Sequence, residues 1–462
     1  MQKSLLIKII IIGAVMTFIY IALSMIHSTI DERVHFREEA VRSIATDSVG
    51  DQRIMGPVLV LQFTDRYEEE EVDVLTKKTV IKEKALTKRH FVFPNQLDVK
   101  SNVDIDQRYR GIHKVLVYSG QHQMQGDFSL PTLSDLSHEK PNSRLQIDAT
   151  HVAMNLTDTR GLRNFPKLEW DGDSFEFEQG SQLRGSPSGL HAKVKLPSLK
   201  ANQTVKFSLP MVIDGMERLQ FVPIAKNNQF NMTSKWPHPQ FGGRFLPAPG
   251  PSQRKIDANG FTVSWNISSL SSKAQQQFLA SEEGLIQRNQ NADVSPSSEN
   301  IESFHVAFIE PVNIYSQADR AIKYGMLFIV LTFAAFFLFE VLKRLPIHPV
   351  QYTLVGLSLA IFFLLLLSLS EHMRFSLAYL ISATACIALI GFYLKHVLQN
   401  WKRGFGFATG LCVLYSVLYG LLQSENNALL MGSILLFAVL AAMMTVTRKL
   451  DWYKLGTSDV KE

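Results

Sequence analysis

Residues 350–369 read VQYTLVGLSLAIFFLLLLSL, a run with no charged side chain. Wound as an α-helix at 1.5 Å per residue, ~20 residues reach about 30 Å, the thickness of bilayer hydrocarbon. A helix apolar on every side has no face to offer water, so this one reads as a membrane span. Runs of similar length flank it at residues 323–342, 375–394, 404–422 and 428–446. Their connectors are short, which makes neighbouring helices antiparallel. At the start of the chain, Leu5–Ile26, with Lys3 and Lys8, forms another such run. A cleaved signal peptide is the competing reading there, with Ala22-Leu23-Ser24 as a faint cleavage site. The run exceeds the ~7–15 apolar residues of a signal core, which favours a retained anchor.

Charge on the connectors orients the bundle. Lys343, Arg344, Lys395, Lys402, Arg403, Arg448, Lys449 and Lys454 fall on one side. The opposite loops hold Glu371, His372, Arg374 and Glu425. Basic residues stay in the cytoplasm, so both termini are expected there and the long middle region outside. Trp401, Trp452, Tyr453 and Tyr352 fall at interface depths, where amphipathic rings anchor helix ends. The same flanking bases account for the net charge of +5. No basic stretch interleaved with stacking aromatics points to nucleic acid. The mean hydropathy of +0.04 conceals all this, because apolar runs at both ends average against a polar middle.

That middle begins with Ile30, Val34, Val41 and Ile44 at near-helical spacing among charges, an amphipathic helix ending before Gly50. From Val58 onward, short runs such as Val58–Leu61, Val115–Tyr118, Val205–Phe207 and Phe261–Val263 read as strands. Gly56-Pro57, Pro94-Asn95, Asp171-Gly172, Asp214-Gly215 and Asn259-Gly260 read as turns. Lys273–Leu279 is a helical candidate, and Asn289–Asn300 a polar linker. The expected fold is a membrane α-helical bundle of about six spanning helices plus an extracytoplasmic, β-rich, sandwich-like domain. The boundaries are an anchor at 1–26, the β-rich domain at 27–321, the five-helix bundle at 322–447 and a cytoplasmic tail at 448–462.

Catalytic signatures are sparse. There is no phosphate-binding loop, no His-Glu-x-x-His and no Cys-x-x-Cys. Gly185-Ser186-Pro187-Ser188-Gly189 has proline where a nucleophile elbow needs serine. The two cysteines, Cys386 and Cys412, lie in apolar runs and read as packing residues. Gly406 and Gly410 have the spacing of small residues at a helix–helix contact. No catalytic residue, cofactor or metal is assigned. Arg110 and Arg160 each precede a glycine and could grip a carboxylate or phosphate, or pair internally, Arg160 with Asp158. Trp236 and His238, in Trp-Pro-His-Pro, could form a stiff recognition loop or cap a core edge. Glu340, Glu371 and His372 sit at helix ends, where charge costs less than at the midplane. Arg320 and Lys323 precede the second span and could clamp domain to bundle or meet head groups.

The ordered strings Arg108-Tyr109-Arg110-Gly111, Asp158-Thr159-Arg160-Gly161-Leu162, Trp236-Pro237-His238-Pro239-Gln240-Phe241-Gly242-Gly243, Pro311-Val312-Asn313-Ile314-Tyr315 and Ile347-His348-Pro349-Val350-Gln351-Tyr352 carry a resemblance over nearly the whole chain. It resembles the CreD family of bacterial inner-membrane, cell-envelope integrity proteins. The resemblance implies residence in the inner membrane and a part in envelope-stress and β-lactam response, and supplies no catalytic residues. The leading expectation is a non-catalytic protein that binds or scaffolds at the outer face of the inner membrane, with envelope precursors or other inner-membrane proteins as partners beside the lipid bilayer. The alternatives are a lipid or small-molecule transporter, with Tyr379, Tyr393, Tyr415 and Ser416 available to line a path, or an outer-leaflet enzyme using Glu371 and His372 as acid and base.

Overall fold

The computed structural model describes residues 2–72, 79–111, 113–196, 203–250, 252–284, 301–310, 314–343, 347–397, 401–423 and 428–448. The linker expected at Asn289–Asn300 lies outside them. The chain forms two compact units, residues 1–38 with 312–462, and residues 39–311.

The helical unit contains most of α1 (Gln2–Asp47), with α3 (Ile314–Lys343), α4 (Pro349–Ser370), α5 (Phe375–Val397), α6 (Trp401–Gln423) and α7 (Ala428–Thr447); α2 (Ala274–Glu283) belongs to the other unit. Five of the helices are long and apolar enough to cross a membrane, and α7 contributes a shorter apolar stretch, Leu430–Thr445. The sequence placed an anchor and an amphipathic helix end to end; they form one unbroken helix. Helix α4 starts where His348 accepts from the Val350 amide and Gln351 reaches back to the His348 amide, with Pro349 in the first turn. The unit's interior holds Ile19, Phe333, Phe336, Phe362 and Tyr415. Its exterior is apolar too, with Ile361, Leu380 and Phe392 more than half exposed, the reverse of a water-soluble bundle.

Among its described residues the second unit carries sixteen strands: β1 (Gln52–Val72), β2 (Thr79–Val92), β3 (Gln96–Arg110), β4 (His113–Ser129), β5 (Arg144–Leu156), β6 (Lys167–Trp170), β7 (Asp173–Glu176), β8 (Glu178–Gln179), β9 (Gly189–Lys193), β10 (Thr204–Met216), β11 (Arg218–Phe221), β12 (Asn227–Ser234), β13 (Pro239–Gly243), β14 (Arg254–Asp257), β15 (Gly260–Ser268) and β16 (Phe304–Phe308). One eight-stranded sheet runs β13-β16-β11-β1-β5-β9-β8, with β2 also on β1. The other runs β14-β15-β12-β3-β4-β10-β6-β7. The main core draws Leu59 and Leu61 from the first sheet and Leu97, Val99, Met124, Leu209 and Trp265 from the second, so the sheets pack as a sandwich. Strand β1 is buried on both faces from Gln52 to Leu61. Met55, Val58 and Val60 point the other way and meet Phe278 of α2, which explains its continuous apolar run.

Two expected turns prove to be strand interior. Gly56-Pro57, a cis peptide with Gly56 at φ 123°, lies within β1 at a register shift between Met55 and Val58. Asp214-Gly215 lies within β10; a side chain at Gly215 would strike the Tyr118 ring, whose hydroxyl donates to the Arg218 carbonyl at 2.9 Å. That glycine serves close approach, not reversal. Asp171-Gly172 is a true hairpin turn between β6 and β7, with both residues at positive φ.

Candidate functional site

The sharpest charged residues of the β unit converge on one place, the end of α1. Val41, Ala45 and Ile44 pack there on Val115, Val117 and Met216. The helix has no basic residue in its last turn to meet its unpaired carbonyls. Arg160 supplies that charge from a distance in sequence. Its Nη1 donates to the Thr46 carbonyl at 2.7 Å and its Nη2 to the Ala45 carbonyl at 3.1 Å. The same guanidinium lies on Asp158, with Nη2 to Oδ2 at 2.6 Å and Nε to Oδ1 at 3.0 Å. Arg160 holds the Asp158 carboxyl below the usual carboxylate range. Gln52, almost fully buried, fixes the turn that presents them: its Nε2 donates to the Asp158 carbonyl at 2.7 Å and its Oε1 accepts from the Asp158 amide. Arg110 pairs with Asp47 at 2.6 Å, one residue beyond the Arg160 contacts. Both Arg-Gly strings therefore clasp the helix end.

Arg160→Ala is expected to fray the last turn of α1, raising hydrogen exchange of the amides of residues 45–48 in the full-length protein while β3 and β4 stay protected. Arg160→Lys should not restore protection, because an ammonium cannot bridge a carboxylate and two carbonyls as the planar fork does. Unchanged exchange in Arg160→Ala would show that the apolar contacts alone hold the helix end.

Trp236 is half-buried against the core, and its Nε1 donates to the Ile309 carbonyl at 3.1 Å. His238 is exposed, stands edge-on to the Trp236 ring with centroids 6.1 Å apart, and its carbonyl accepts from the Ile309 amide. These residues brace the chain as it leaves β16.

In the helical unit, Glu371 at the end of α4 lies 3.5 Å from Arg33 Nε of α1 and accepts from the Tyr315 hydroxyl of α3 at 3.4 Å. The three tie the start of α3 and the end of α4 to the body of α1. His372 turns away, exposed, with Nδ1 3.1 Å from the Ser368 carbonyl of its own helix. The structure therefore does not place Glu371 and His372 as an acid–base couple. Glu340 is buried and accepts from the Tyr352 hydroxyl at 2.7 Å. Arg320 is half-buried on α3, and Lys323 pairs with Asp319 at 2.6 Å, which also faces His27 at 3.4 Å. Tyr379 donates to the Tyr415 carbonyl at 2.7 Å, and Tyr415 donates to Cys386 Sγ at 3.1 Å among the Phe328 and Phe362 rings. Ser416 is exposed, as is Cys412. Among the described residues, a side chain at Gly406 or Gly410 would meet nothing within 4 Å, so no close helix contact is seen at either.

Several polar groups escaped the sequence reading. His122 of β4 is buried between the sheets, hydrogen-bonded to Ser101 at 2.9 Å and edge-on to Phe221. Burial pushes its pKa down to about 4. Its inward place in a strictly alternating strand was the available signal. His151 and His191 stand on the other face of the first sheet, rings 5.7 Å apart, and burial, the neighbouring His191 and Arg89 push His151 down to about 4. Glu282 of α2 is buried and accepts from the Arg184 and Gly185 amides, each at 2.9 Å, tying down the Gly185–Gly189 string. Among the described residues, no group of three or more His, Cys, Asp or Glu could hold a metal.

A family model described as "Inner membrane protein CreD" matches residues 4–453. Inner membrane protein CreD of Escherichia coli (strain K12) is 33% identical over 450 residues, covering 97% of this chain and 94% of its own. Among solved structures, the M1 zinc metallopeptidase of Deinococcus radiodurans aligns over 38% of each chain at 7% identity with a TM-score of 0.19. The native leukotriene A4 hydrolase of Saccharomyces cerevisiae aligns over 38% of this chain and 27% of its own at 10% identity with a TM-score of 0.20. Likeness that weak assigns neither fold nor function.

Proposed function

Because the chain belongs to the CreD family of inner membrane proteins, we propose that it is a non-catalytic scaffold that supports cell-envelope integrity, including the response to envelope stress and β-lactams, by binding at the outer face of the inner membrane. In this reading both termini face the cytoplasm and the β unit faces the periplasm, as the loop charges favour. Its partners are the lipid bilayer and envelope precursors or other inner-membrane proteins. One observation carries the proposal: the charged residues best suited to chemistry are spent on structure. Arg160 and Arg110 clasp the end of α1, and Glu371 faces Arg33 of α1 and Tyr315 of α3. Arg160 and Arg110, held at 2.6–2.7 Å, serve positioning, and gripping a substrate would require breaking those bonds.

The test is complementation in cells lacking the protein. A Glu371→Gln/His372→Ala double variant at wild-type abundance is expected to restore growth under β-lactam stress as well as wild type does. Loss of rescue at normal abundance would favour the outer-leaflet enzyme. Orientation is tested separately: a phosphatase reporter inserted at Gly250 should be active, and one fused after Glu462 inactive.

A further inference from the structure

We propose that the base of the arm formed by β1 and β2 binds a short zwitterionic peptide, its carboxylate on Arg66 and Arg144 and its ammonium on Glu68 and Glu70. Strands β1 and β2 pair without a break from Leu59 opposite Val92 to Val72 opposite Thr79. Strand β5 accompanies β1 only as far as Arg66, which lies opposite Arg144. Beyond that step the arm has two strands, and a two-stranded ribbon is marginally stable in water. A cavity of about 640 Å³ opens there. Its charged lining is Arg66, Lys140 and Arg144 against Glu68, Glu70 and Glu83.

Register sorts these charges into rows. Residues directly opposite one another, and residues two apart on a strand, share a face. Arg66 lies opposite Arg144 of β5, so the first row holds two guanidiniums. Glu68 lies opposite Glu83 of β2, and Glu70 opposite Ile81, so the next rows hold three carboxylates. Like charges directly opposite destabilise a strand pair, so this pattern works against the arm and suits another purpose. The rows barely neutralise each other. Among the described residues their one contact, Arg66 to Glu83, is 4.0 Å long. The side chains of Glu68, Glu70 and Arg144 make no ion pair or hydrogen bond among those residues. Lys140 is engaged elsewhere, 3.9 Å from Glu69 and donating to the Glu68 carbonyl at 3.1 Å.

Charge and spacing choose the occupant. Same-face rows on a strand lie about 6.7 Å apart, twice the rise per residue. The ammonium and carboxylate of an extended dipeptide lie ~6 Å apart, given ~3.8 Å between consecutive Cα atoms. A free amino acid holds its two charges too close together to match the rows. A plain anion meets the carboxylates and a plain cation meets the guanidiniums, so half of the site opposes either one. Paired guanidiniums grip a carboxylate through their planar forks. Ile81, 62% exposed beside Glu70, offers an apolar surface to a peptide side chain.

The inference rests on the binding role proposed above, and its test is independent of orientation in the cell. Exposed ion pairs contribute little each, so binding is weak and sensitive to salt. Full-length protein in a non-ionic detergent is titrated with L-alanyl-L-alanine and followed by saturation-transfer NMR. A Kd on the order of a few mM is expected at low salt, rising several-fold at about 0.5 M salt. Acetylating the amino end, amidating the carboxyl end, or substituting free alanine should each weaken binding at least about threefold. Arg66→Gln/Arg144→Gln should remove the preference over the amide and keep that over the acetyl peptide. Glu68→Gln/Glu70→Gln should do the reverse, and Asn231→Ala, on the other sheet, should change neither. Absence of binding, equal binding of a blocked peptide or of alanine, or preferences unmoved by the double variants would each overturn the proposal. Failure here with a phosphatase-active Gly250 insertion would remove the peptide site and leave the scaffold reading standing.

Discussion

Replacing Phe278 with alanine is expected to cost the β unit about 4 kcal/mol, as for other fully buried phenylalanines. Its ring has no solvent exposure and stands edge-on to Phe91 at 5.3 Å and Phe93 at 5.6 Å. Helix α2 is only 10 residues long, too short to be stable alone in water. Its place over the first sheet depends on that ring. The loss should travel, because Glu282, near the end of the same helix, accepts the Arg184 and Gly185 amides. Hydrogen exchange on full-length protein should show those two amides opening together with α2. If they stay protected while the denaturation midpoint falls, loop and helix are held independently and the coupling is wrong.

The second large effect is acid lability. His122 is neutral in the folded protein, with its pKa pushed down to about 4 by burial, against ~6.5 in the unfolded chain. The unfolded chain therefore binds the extra proton between these values, and stability present above pH ~6.5 is lost as the pH falls toward 4. At ~1.4 kcal/mol per unit the loss is on the order of 3 kcal/mol for this residue. His151, also pushed down to about 4, acts in the same window and with the same sign. Asp158, held below the usual range by Arg160, has the same sign in a lower window: its stabilising charge is lost only at lower pH, as protons reach its depressed pKa. The windows are thus separable. Urea denaturation of the full-length protein, followed in the β unit by hydrogen exchange, should show a midpoint falling from pH 6.5 to 4. His122→Gln, which can keep a bond to Ser101, should flatten that slope. Equal slopes in the two proteins would mean that His122 is not the titrating group.

The candidate residues show how sequence reading and tertiary structure divide the work. A guanidinium beside glycine can hold an anion, and Arg110 and Arg160 both hold carboxylates, Asp47 and Asp158. That the second task of Arg160 is to meet the carbonyls of Ala45 and Thr46, more than 100 positions away, has no local signature. Glu371 and His372 are adjacent in sequence, yet Glu371 reaches Arg33 and Tyr315 while His372 bonds back to its own helix, because adjacent side chains on a helical turn point in different directions. Gly56-Pro57 and Asp214-Gly215 carry turn residues, and only the packing shows them inside strands, where one sits at a register shift and the other gives room to Tyr118.

The sequence by itself determined the lipid-compatible helices, the two-sided composition of the chain, the β character of the middle and the place of α2. These follow from run length and from the 3.6 and 2 periods, which are local and survive without knowledge of any partner. Tertiary structure alone decided which strands pair, that β3 lies parallel to β12 and β1 to β11, which face of each sheet is covered, and which charges neutralise one another. Those outcomes depend on contacts between residues far apart in the chain, and a short window of sequence carries no record of who sits opposite.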